Sequence, residues 1–250
     1  MEAYGDFAQV YDTFMDNVPY REWCDFICAK LSQYGISREL ILDLGCGTGT
    51  LTELLAEKGY DMIGVDNAEE MLSIAMKKRD ASGHEILYLC QDMREFELYG
   101  TVKAAVCVCD CVNYLLETTD LVETFKLVNN YLDPQGIFIF DFNTDYKYRE
   151  VIGDTTIAEN REECSFIWEN YYHEEEHINE YEITIFVREN DLYRRFQETH
   201  YQRGYTLEEV TACVKQAGME ILEVMDGETH GAVTDESERI CVIAGEKGKC

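Results

Sequence analysis

Short apolar runs alternate with segments of helical periodicity over the first 142 residues. The short runs are typical of strands buried on both faces of a parallel sheet, and they occupy residues 40–44, 62–66, 86–89, 104–109 and 137–142. Helical spacing of apolar positions predicts helices at residues 49–58, 68–78 and 120–132, and two short helices with a turn between them within residues 6–34. This alternation predicts a doubly wound, parallel α/β sheet.

The pattern changes after the fifth predicted strand. Residues 155–203 contain aromatic and β-branched stretches with alternating charges, which predict antiparallel strands with one turn at residues 189–191. A capping box of Thr206 and Glu209 then opens a helix that runs to about Gln216 and ends at Gly218. Two final strands are predicted at residues 220–225 and 239–244. We therefore expect an α/β domain made of residues 1–150 and 204–250, with residues 151–203 as an antiparallel β insertion.

The composition predicts a folded and strongly acidic chain. Of its 250 residues, 46% are hydrophobic and 12% aromatic, which is enough to fill a large core. Lys and Arg number 21 against 50 Asp and Glu, so the formal net charge is −29, which disfavours a nucleic-acid partner because phosphate binding depends on basic side chains. No apolar run approaches the ~20 residues that span a bilayer, and the N-terminus lacks a secretory pattern, so we expect a cytoplasmic protein without membrane association.

The cysteines and histidines are interpreted as structural or surface residues. The eleven cysteines are an odd number and most lie inside apolar runs, so reduced thiols are expected. Cys107, Cys109 and Cys111 would share one face of the predicted strand, but a zinc site usually has a two-residue spacer and a second ligand pair. We therefore interpret these cysteines as small core residues and predict no metal site. Each of the five histidines is interpreted as a surface residue, and three of them lie in or beside the insertion.

A glycine-rich loop between the first predicted strand and its helix is the most informative segment. It reads Asp43-Leu44-Gly45-Cys46-Gly47-Thr48-Gly49. Glycines there let the chain turn sharply, leave room for a ligand and expose backbone N–H groups to its polar atoms, although a tight turn without a ligand is the alternative. The dinucleotide fingerprint requires glycine at position 50, where Thr50 stands, and this disfavours a nicotinamide-dependent oxidoreductase.

Two acidic residues end the next two predicted strands. Asp66 follows the glycine loop by about twenty residues, where a carboxylate can accept hydrogen bonds from both hydroxyls of a ribose. Asp92 precedes Met93, and its carboxylate could accept the exocyclic amine of an adenine beside that apolar contact. The alternatives are a solvated strand end for Asp66 and a helix cap for Asp92. Both residues and the loop lie at the carboxyl ends of adjacent strands, where open α/β sheets bind ligands.

These motifs resemble those of the class I S-adenosylmethionine-dependent methyltransferases. The matching segments are residues 41–49, 64–66 with 70–72, 90–93 and 109–114, and the resemblance covers about residues 4–245. It implies a Rossmann-like methyltransferase sheet of seven strands, the last one antiparallel, and S-adenosyl-L-methionine as cofactor. Residues 7–12 and 20–23 are similar to a bacterial subgroup that acts on small molecules, and the insertion is similar to that of amino-sugar N-methyltransferases.

The resemblance also implies a set of cofactor-binding residues. Gly45, Cys46 and Gly47 would line the methionine and ribose part, and Asp66 would bind the ribose hydroxyls. The other implied residues would orient the amino group through solvent (Asp43), contact the adenine (Met71, Asp92, Met93), lie under the methionine (Cys109, Asp110) or close over it (Tyr11, Tyr20, Trp23). Ordinary helix packing is the alternative for the three aromatic residues.

We therefore expect an S-adenosylmethionine-dependent methyltransferase whose acceptor is a small molecule, with amines as one candidate class. Asn113 and Tyr114 follow the fourth strand and are candidate substrate contacts, with helix capping as the alternative for Asn113. Residues 159–200 hold 12 acidic residues and 4 arginines, which would attract a cationic amine to an insertion that shapes or covers the acceptor pocket. No motif designates a catalytic base. A tRNA or protein methyltransferase and a non-catalytic cofactor-binding module remain alternatives.

Overall fold

Residues 8–16 and 18–249 are described by the computed structural model. The first predicted helix begins at residue 6, outside these described ranges. The strands, in chain order, are β1 (Leu40–Leu44), β2 (Asp61–Asp66), β3 (Ile86–Cys90), β4 (Val102–Cys107), β5 (Leu132–Asn143), β6 (Thr156–Asn160), β7 (Cys164–His173), β8 (Ile178–Glu189), β9 (Leu192–Arg203), β10 (Met219–Asp226) and β11 (Arg239–Glu246). The helices are α1 (Ala8–Phe14), α2 (Tyr20–Gln33), α3 (Thr50–Glu57), α4 (Glu69–Ser82), α5 (Thr118–Tyr131) and α6 (Leu207–Gln216), with a 3-10 turn at Cys111–Tyr114 and a π-helical turn at Lys147–Ile152.

Seven strands form the large sheet in the order β10-β11-β5-β4-β1-β2-β3. The pairs among β1 to β5 are parallel, whereas β11 runs antiparallel to both of its neighbours, β5 and β10. The expected seven-stranded α/β sheet, with one antiparallel strand and an antiparallel insertion after strand five, is therefore confirmed.

The sheet is doubly wound because alternate side chains of its strands enter two different cores. In β1, Leu42 packs into a core with α5 and α6, whereas Ile41 packs into the opposite core with α2 and α3. Both leucine and isoleucine side chains are fully buried, as the continuous apolar pattern predicts for a strand covered on both faces. This packing fixes the carboxyl ends of the parallel strands along one edge of the sheet.

The insertion is a separate antiparallel sheet with the strand order β6-β7-β8-β9. The β8–β9 hairpin turns between Glu189 and Leu192, as predicted. Ile183 and Ile185 of β8 pack against Val10 and Phe14, so helix α1 joins the inner face of the insertion sheet to the rest of the molecule. The division of the chain at residues 151 and 203 stays a prediction, although the insertion strands fall between these limits.

The segment after β4 differs from the prediction. The strand ends at Cys107, and Cys109 and Asp110 adopt left-handed backbone conformations with φ of 68° and 53°. The Asp141 carboxylate accepts hydrogen bonds from the backbone N–H groups of Cys109 and Asp110, which replace the strand ladder. The interpretation of three cysteines on one strand face is therefore wrong, and of the three only Cys107 is a fully buried core residue.

Three further features bear on function. His200 is only 2% exposed, so its interpretation as a surface residue is wrong. The described residues contain no group of three or more His, Cys, Asp or Glu side chains arranged to hold a metal ion. Among the helices of this part of the chain, none is long and apolar enough to cross a membrane.

Candidate functional site

A cavity of about 230 Å³ lies at the carboxyl ends of β1, β2, β3 and β4. Its wall contains the glycine loop, the loops after the next strands, and aromatic side chains from α1 and α2. Of the predicted cofactor-binding residues, the structure brings together Tyr11, Tyr20, Asp43, Gly45, Cys46, Gly47, Asp66, Met71, Asp92, Met93 and Cys109. Tyr114, a candidate substrate contact, also lines this cavity.

The glycine loop has the conformation and the open space that a close ligand requires. Gly45 has a φ of +78°, and a Cβ there would lie 2.7 Å from Cys111 Sγ, so only glycine fits without displacing that thiol. Gly47 has a φ of +53°, and a Cβ there would meet no atom within 4 Å. Backbone therefore borders the cavity at Gly47 without a side chain between it and a ligand.

Asp66 holds the loop and the start of α4 together. One carboxylate oxygen accepts the Gly47 N–H at 2.8 Å, and the other accepts the Ala68 N–H at 2.9 Å. Burial raises the pKa of Asp66, and these backbone hydrogen bonds oppose that shift. Because each carboxylate oxygen has two lone pairs, Asp66 retains acceptor capacity for the hydroxyls of a ligand.

Asp43 lies deeper than Asp66, at the end of β1 and beneath the glycine loop. It is 3% exposed, and its Oδ2 atom accepts a hydrogen bond of 2.6 Å from the Thr52 hydroxyl. Burial raises the pKa of Asp43 to about 7, against the opposing effect of the Thr52 hydrogen bond. The charge of this carboxylate therefore changes near neutral pH.

Asp92 is in a different electrostatic setting. Arg94 donates to both of its carboxylate oxygens, from Nε at 3.0 Å and from Nη2 at 2.6 Å. These hydrogen bonds lower the pKa of Asp92 and keep it ionised. An amine donor from a ligand would share this carboxylate with Arg94, which the sequence analysis did not anticipate.

Helix α1 covers the cavity and is attached to the glycine loop. Tyr11 and Tyr20 are hydrogen-bonded to each other at the cavity wall, and burial raises the pKa of both phenols. The Asp12 carboxylate accepts a hydrogen bond of 2.6 Å from the Thr48 hydroxyl and lies 2.7 Å from Lys78 Nζ. The N-terminal helix thus closes over the strand ends through specific polar contacts.

Three predicted site residues do not line the cavity. The Trp23 ring lies 5.5 Å from the guanidinium of Arg239, and Asp110 forms an ion pair of 2.8 Å with the same arginine. Asn113 is fully buried, and its amide donates to the backbone carbonyls of Asn143 and Arg203. These contacts connect neighbouring segments of the fold, and Asn113 lies within the 3-10 turn rather than capping a helix.

Several cavity residues were missed by sequence reasoning. They are Thr48, Thr50, Leu51, Val65, Asn67, Gln91, Arg94, Val108, Cys111 and Leu115. Position supplied a signal for some of them, because Asn67 and Gln91 adjoin Asp66 and Asp92 at the strand ends. Cys111 gave no such signal, because its approach to the cavity depends on the left-handed turn that precedes it.

Comparison with known proteins identifies the family of the chain. Residues 41–136 match the model of a methyltransferase domain family. The relative named "Putative methyltransferase YqeM", of Bacillus subtilis (strain 168), is 40% identical over 238 residues, which cover 95% of this chain and 94% of that protein.

Two solved structures extend the comparison. An S-adenosylmethionine-dependent methyltransferase from Clostridium acetobutylicum ATCC 824 is 33% identical, with a TM-score of 0.90 over 98% of this chain and 99% of that one. CalS10, an amino pentose methyltransferase from Micromonospora echinaspora solved with S-adenosylmethionine bound, has a TM-score of 0.77 over 98% of both chains. At 19% identity, the similarity to CalS10 shows a shared fold.

Proposed function

The chain belongs to the S-adenosylmethionine-dependent methyltransferases, and from that premise we propose that it methylates a small-molecule acceptor that carries an amine. The observation that carries the proposal is an acidic cavity at the strand ends, closed by α1 and α2. Asp43, Asp66 and Asp92 line it, and Arg94 is the basic residue among the lining side chains of the described chain. The negative charge of these carboxylates favours a cationic cofactor and an amine that arrives as a cation.

We assign the cofactor to the residues that line this cavity. The Asp66 carboxylate has the acceptor capacity to bind ribose hydroxyls, and the exposed backbone at Gly47 leaves room for the nucleoside beside it. Met71 and Met93 offer an apolar surface for the adenine, whose exocyclic amine would donate to Asp92. Asp43 would orient the amino group of the methionine part through solvent. The residues present therefore fit the group.

The chemistry required from the protein is mainly alignment, since S-adenosylmethionine supplies an electrophilic methyl group on a sulfonium. Holding two reacting atoms ~3–3.5 Å apart in a fixed direction can lower a barrier by ~7–11 kcal/mol. Tyr11 and Tyr20 line the cavity, where they would exclude water from the reactants, and their aromatic faces would attract a cation by ~0.5–2 kcal/mol. The chain's own residues thus bind, orient and desolvate the reactants.

We further propose that the insertion covers the acceptor. Tyr114 lies in the cavity wall, and its hydroxyl oxygen is 2.7 Å from that of Tyr181 on β8, so the acceptor side of the cavity borders the insertion. Residues 159–200 carry 12 acidic side chains and 4 arginines, which favours a cationic acceptor over an anionic one. The net charge of −29 makes a tRNA acceptor the less favoured alternative.

The test is methyl transfer from S-adenosylmethionine with a radiolabelled methyl group. The protein is incubated with separate panels of primary, secondary and tertiary amines, alcohols and carboxylates, and with bulk tRNA and protein as macromolecular acceptors. Label should transfer to an amine. Transfer only to tRNA, to protein, or to alcohols and carboxylates would contradict the proposal. Cofactor binding without turnover on any panel would instead favour a non-catalytic binding module.

A further inference from the structure

A row of buried polar side chains lies on the inner face of the insertion sheet. Tyr181 of β8 and His200 of β9 are direct partners in the antiparallel register. Their rings are stacked, with centroids 5.2 Å apart and an angle of 11° between planes, and the two residues are 6% and 2% exposed. Burying an imidazole and a phenol is costly unless polar partners surround them, so this pair requires an explanation beyond apolar packing.

Tyr114 connects this pair to the cavity. Its hydroxyl lies 2.7 Å from the Tyr181 hydroxyl and 3.4 Å from His200 Nδ1. On the far side of the imidazole, His200 Nε2 lies 3.3 Å from Glu198 Oε2, an ion-pair distance without hydrogen-bond geometry, and the Glu198 side chain is 11% exposed. The Tyr114 hydroxyl therefore connects the cavity wall to a buried imidazole that has a carboxylate beside it.

The arrangement favours one tautomer of His200. The negative charge of Glu198, 3.3 Å from Nε2, favours a proton on Nε2 electrostatically, and Nδ1 then presents its lone pair toward the Tyr114 hydroxyl. The edge-to-face contact of Tyr114 with His200, at 6.1 Å between centroids, and the stacking on Tyr181 hold the ring in this orientation. The imidazole is thereby placed to accept a proton from Tyr114, while Glu198 stabilises the cation that results.

We propose that Tyr114, His200 and Glu198 receive the proton that the acceptor ammonium must lose before methylation, an inference that rests on the proposed methyl transfer to an amine. The ammonium gives an N–H proton to the Tyr114 oxygen as the phenolic proton of Tyr114 moves to His200 Nδ1. The lone pair of the neutral nitrogen then attacks the methyl carbon, and the carbon–sulfur bond breaks with its electron pair going to sulfur. The products are the methylated ammonium, the thioether and an imidazolium beside Glu198.

In this scheme Tyr114 touches the substrate, and His200 and Glu198 are positioning residues that act through it. The titratable groups that face the pair are Glu198 from β9, Tyr181 from β8 and Tyr114 from the 3-10 turn, with Asp110 and Tyr148 also close enough to act on Tyr181 electrostatically. A general base of this kind typically contributes about 10²- to 10⁴-fold to a rate.

The first test does not depend on knowing the acceptor. In the full chain labelled with ¹⁵N-histidine, the nitrogen signals of His200, assigned by their loss in His200→Asn, should show a proton on Nε2 and none on Nδ1 of the neutral ring. Glu198→Gln removes the nearby negative charge and should increase the fraction of rings with the proton on Nδ1. A proton on Nδ1 in the wild-type protein would overturn the proposal, because Nδ1 could then accept nothing from Tyr114.

The second test compares acceptors that must lose a proton with acceptors that need not. With the best secondary amine of the panel, Tyr114→Phe and His200→Asn should each lower kcat by about 100-fold and remove the acidic limb of its pH profile. A weakly basic aromatic amine is already neutral at the assay pH and needs no deprotonation, so the same variants should leave its rate within about twofold of wild type. Equal losses with both amines would contradict the relay.

Matched controls distinguish loss of the proposed proton transfer through Tyr114 and His200 from loss of folding and from failure of the proposed function. Tyr171→Phe and His173→Asn change exposed residues on β7 of the same sheet and should leave kcat unchanged. Thermal unfolding and cofactor affinity, measured by calorimetry, should stay close to wild type in Tyr114→Phe and His200→Asn. If the wild type methylates no amine, the proposed acceptor class fails, whereas normal amine turnover by Tyr114→Phe rejects the relay alone.

Discussion

The Asp12 carboxylate accepts a hydrogen bond of 2.6 Å from the hydroxyl of Thr48 in the glycine loop. This contact, with the ion pair of 2.7 Å between Asp12 and Lys78, attaches helix α1 to the glycine loop and to α4, which both border the cavity at the strand ends. The position of α1 over the cavity therefore depends on Asp12, which lies outside the glycine-rich loop in the sequence.

Replacing Asp12 with alanine should weaken the attachment of helix α1 to the glycine loop and α4. The Asp12 side chain is 41% exposed, so we expect its polar contacts to contribute no more than about 1 kcal/mol, which is about a fivefold effect. We predict a dissociation rate of S-adenosylmethionine about fivefold faster in Asp12→Ala, measured by stopped-flow fluorescence. Asp25→Ala removes an exposed ion pair with Lys58 away from the cavity and should leave this rate unchanged. Equal rates in wild type and Asp12→Ala would show that α1 does not retain the cofactor.

Asp66→Asn tests the ribose assignment. Hydrogen bonds to charged groups contribute ~1.5–3 kcal/mol each, so loss of the carboxylate should weaken binding of S-adenosylmethionine about 10- to 100-fold in calorimetry. The matched control is Asp61→Asn, an exposed position at the start of the same strand. Because Asp66 also accepts from Gly47 and Ala68, thermal unfolding must show that the variant is folded at the temperature of the titration. An unchanged affinity would reject the assignment.

The strand ends and the glycine loop were predictable because the signals that specify them are local. Continuous apolar runs, glycines at positive φ and acids that end strands all lie within a few residues of the element that they define. The capping box is a further example, since Thr206 and Glu209 satisfy each other's backbone N–H groups within one turn. These patterns alone place Asp43, Asp66 and Asp92 at one edge of the sheet.

The rest of the site depends on contacts between distant parts of the chain. Asp141 stops β4 at Cys107 from a strand more than thirty residues away, so the left-handed turn at Cys109 and Asp110 has no local signature. Tyr114 meets Tyr181 and His200 across sequence separations of 67 and 86 residues. Hydrophobic periodicity predicts which face of a strand is buried, but it does not show that the buried face carries a histidine beside the cavity.

Asp43 should make cofactor affinity depend on pH. Burial raises the pKa of this carboxyl to about 7 in the unliganded protein, and only its ionised form attracts the amino group of the methionine part. Affinity for S-adenosylmethionine should therefore fall as the pH drops from 8 to 6, by at most about tenfold for each unit below the pKa. Calorimetric titrations of Asp43→Asn over the same range should show a weaker dependence. Identical pH dependences in the two proteins would exclude Asp43 as the titrating group.

The raised pKa of Asp43 also affects the stability of the unliganded protein. Between the ordinary pKa of an unfolded Asp, 3.8, and the folded value of about 7, the folded state binds more protons at Asp43 than the unfolded state. The free energy of unfolding should therefore contain a component from Asp43 that decreases as the pH rises through this window. Urea denaturation at pH 5 and 8 should show a smaller decrease for Asp43→Asn than for wild type, and an equal decrease would contradict the assignment.

Gly45→Ala should show that the glycine loop is constrained by packing as well as by backbone conformation. Gly45 and Gly83 have similar φ values of +78° and +76°, but a Cβ at Gly45 would lie 2.7 Å from Cys111 Sγ, whereas a Cβ at Gly83 would meet nothing within 4 Å. Gly83→Ala should cost only the backbone strain, roughly 1–2 kcal/mol, and Gly45→Ala should cost about 1–3 kcal/mol more because the thiol must move. Urea denaturation of both variants measures the difference. Equal losses would show that Cys111 yields freely and that backbone conformation alone requires glycine at position 45.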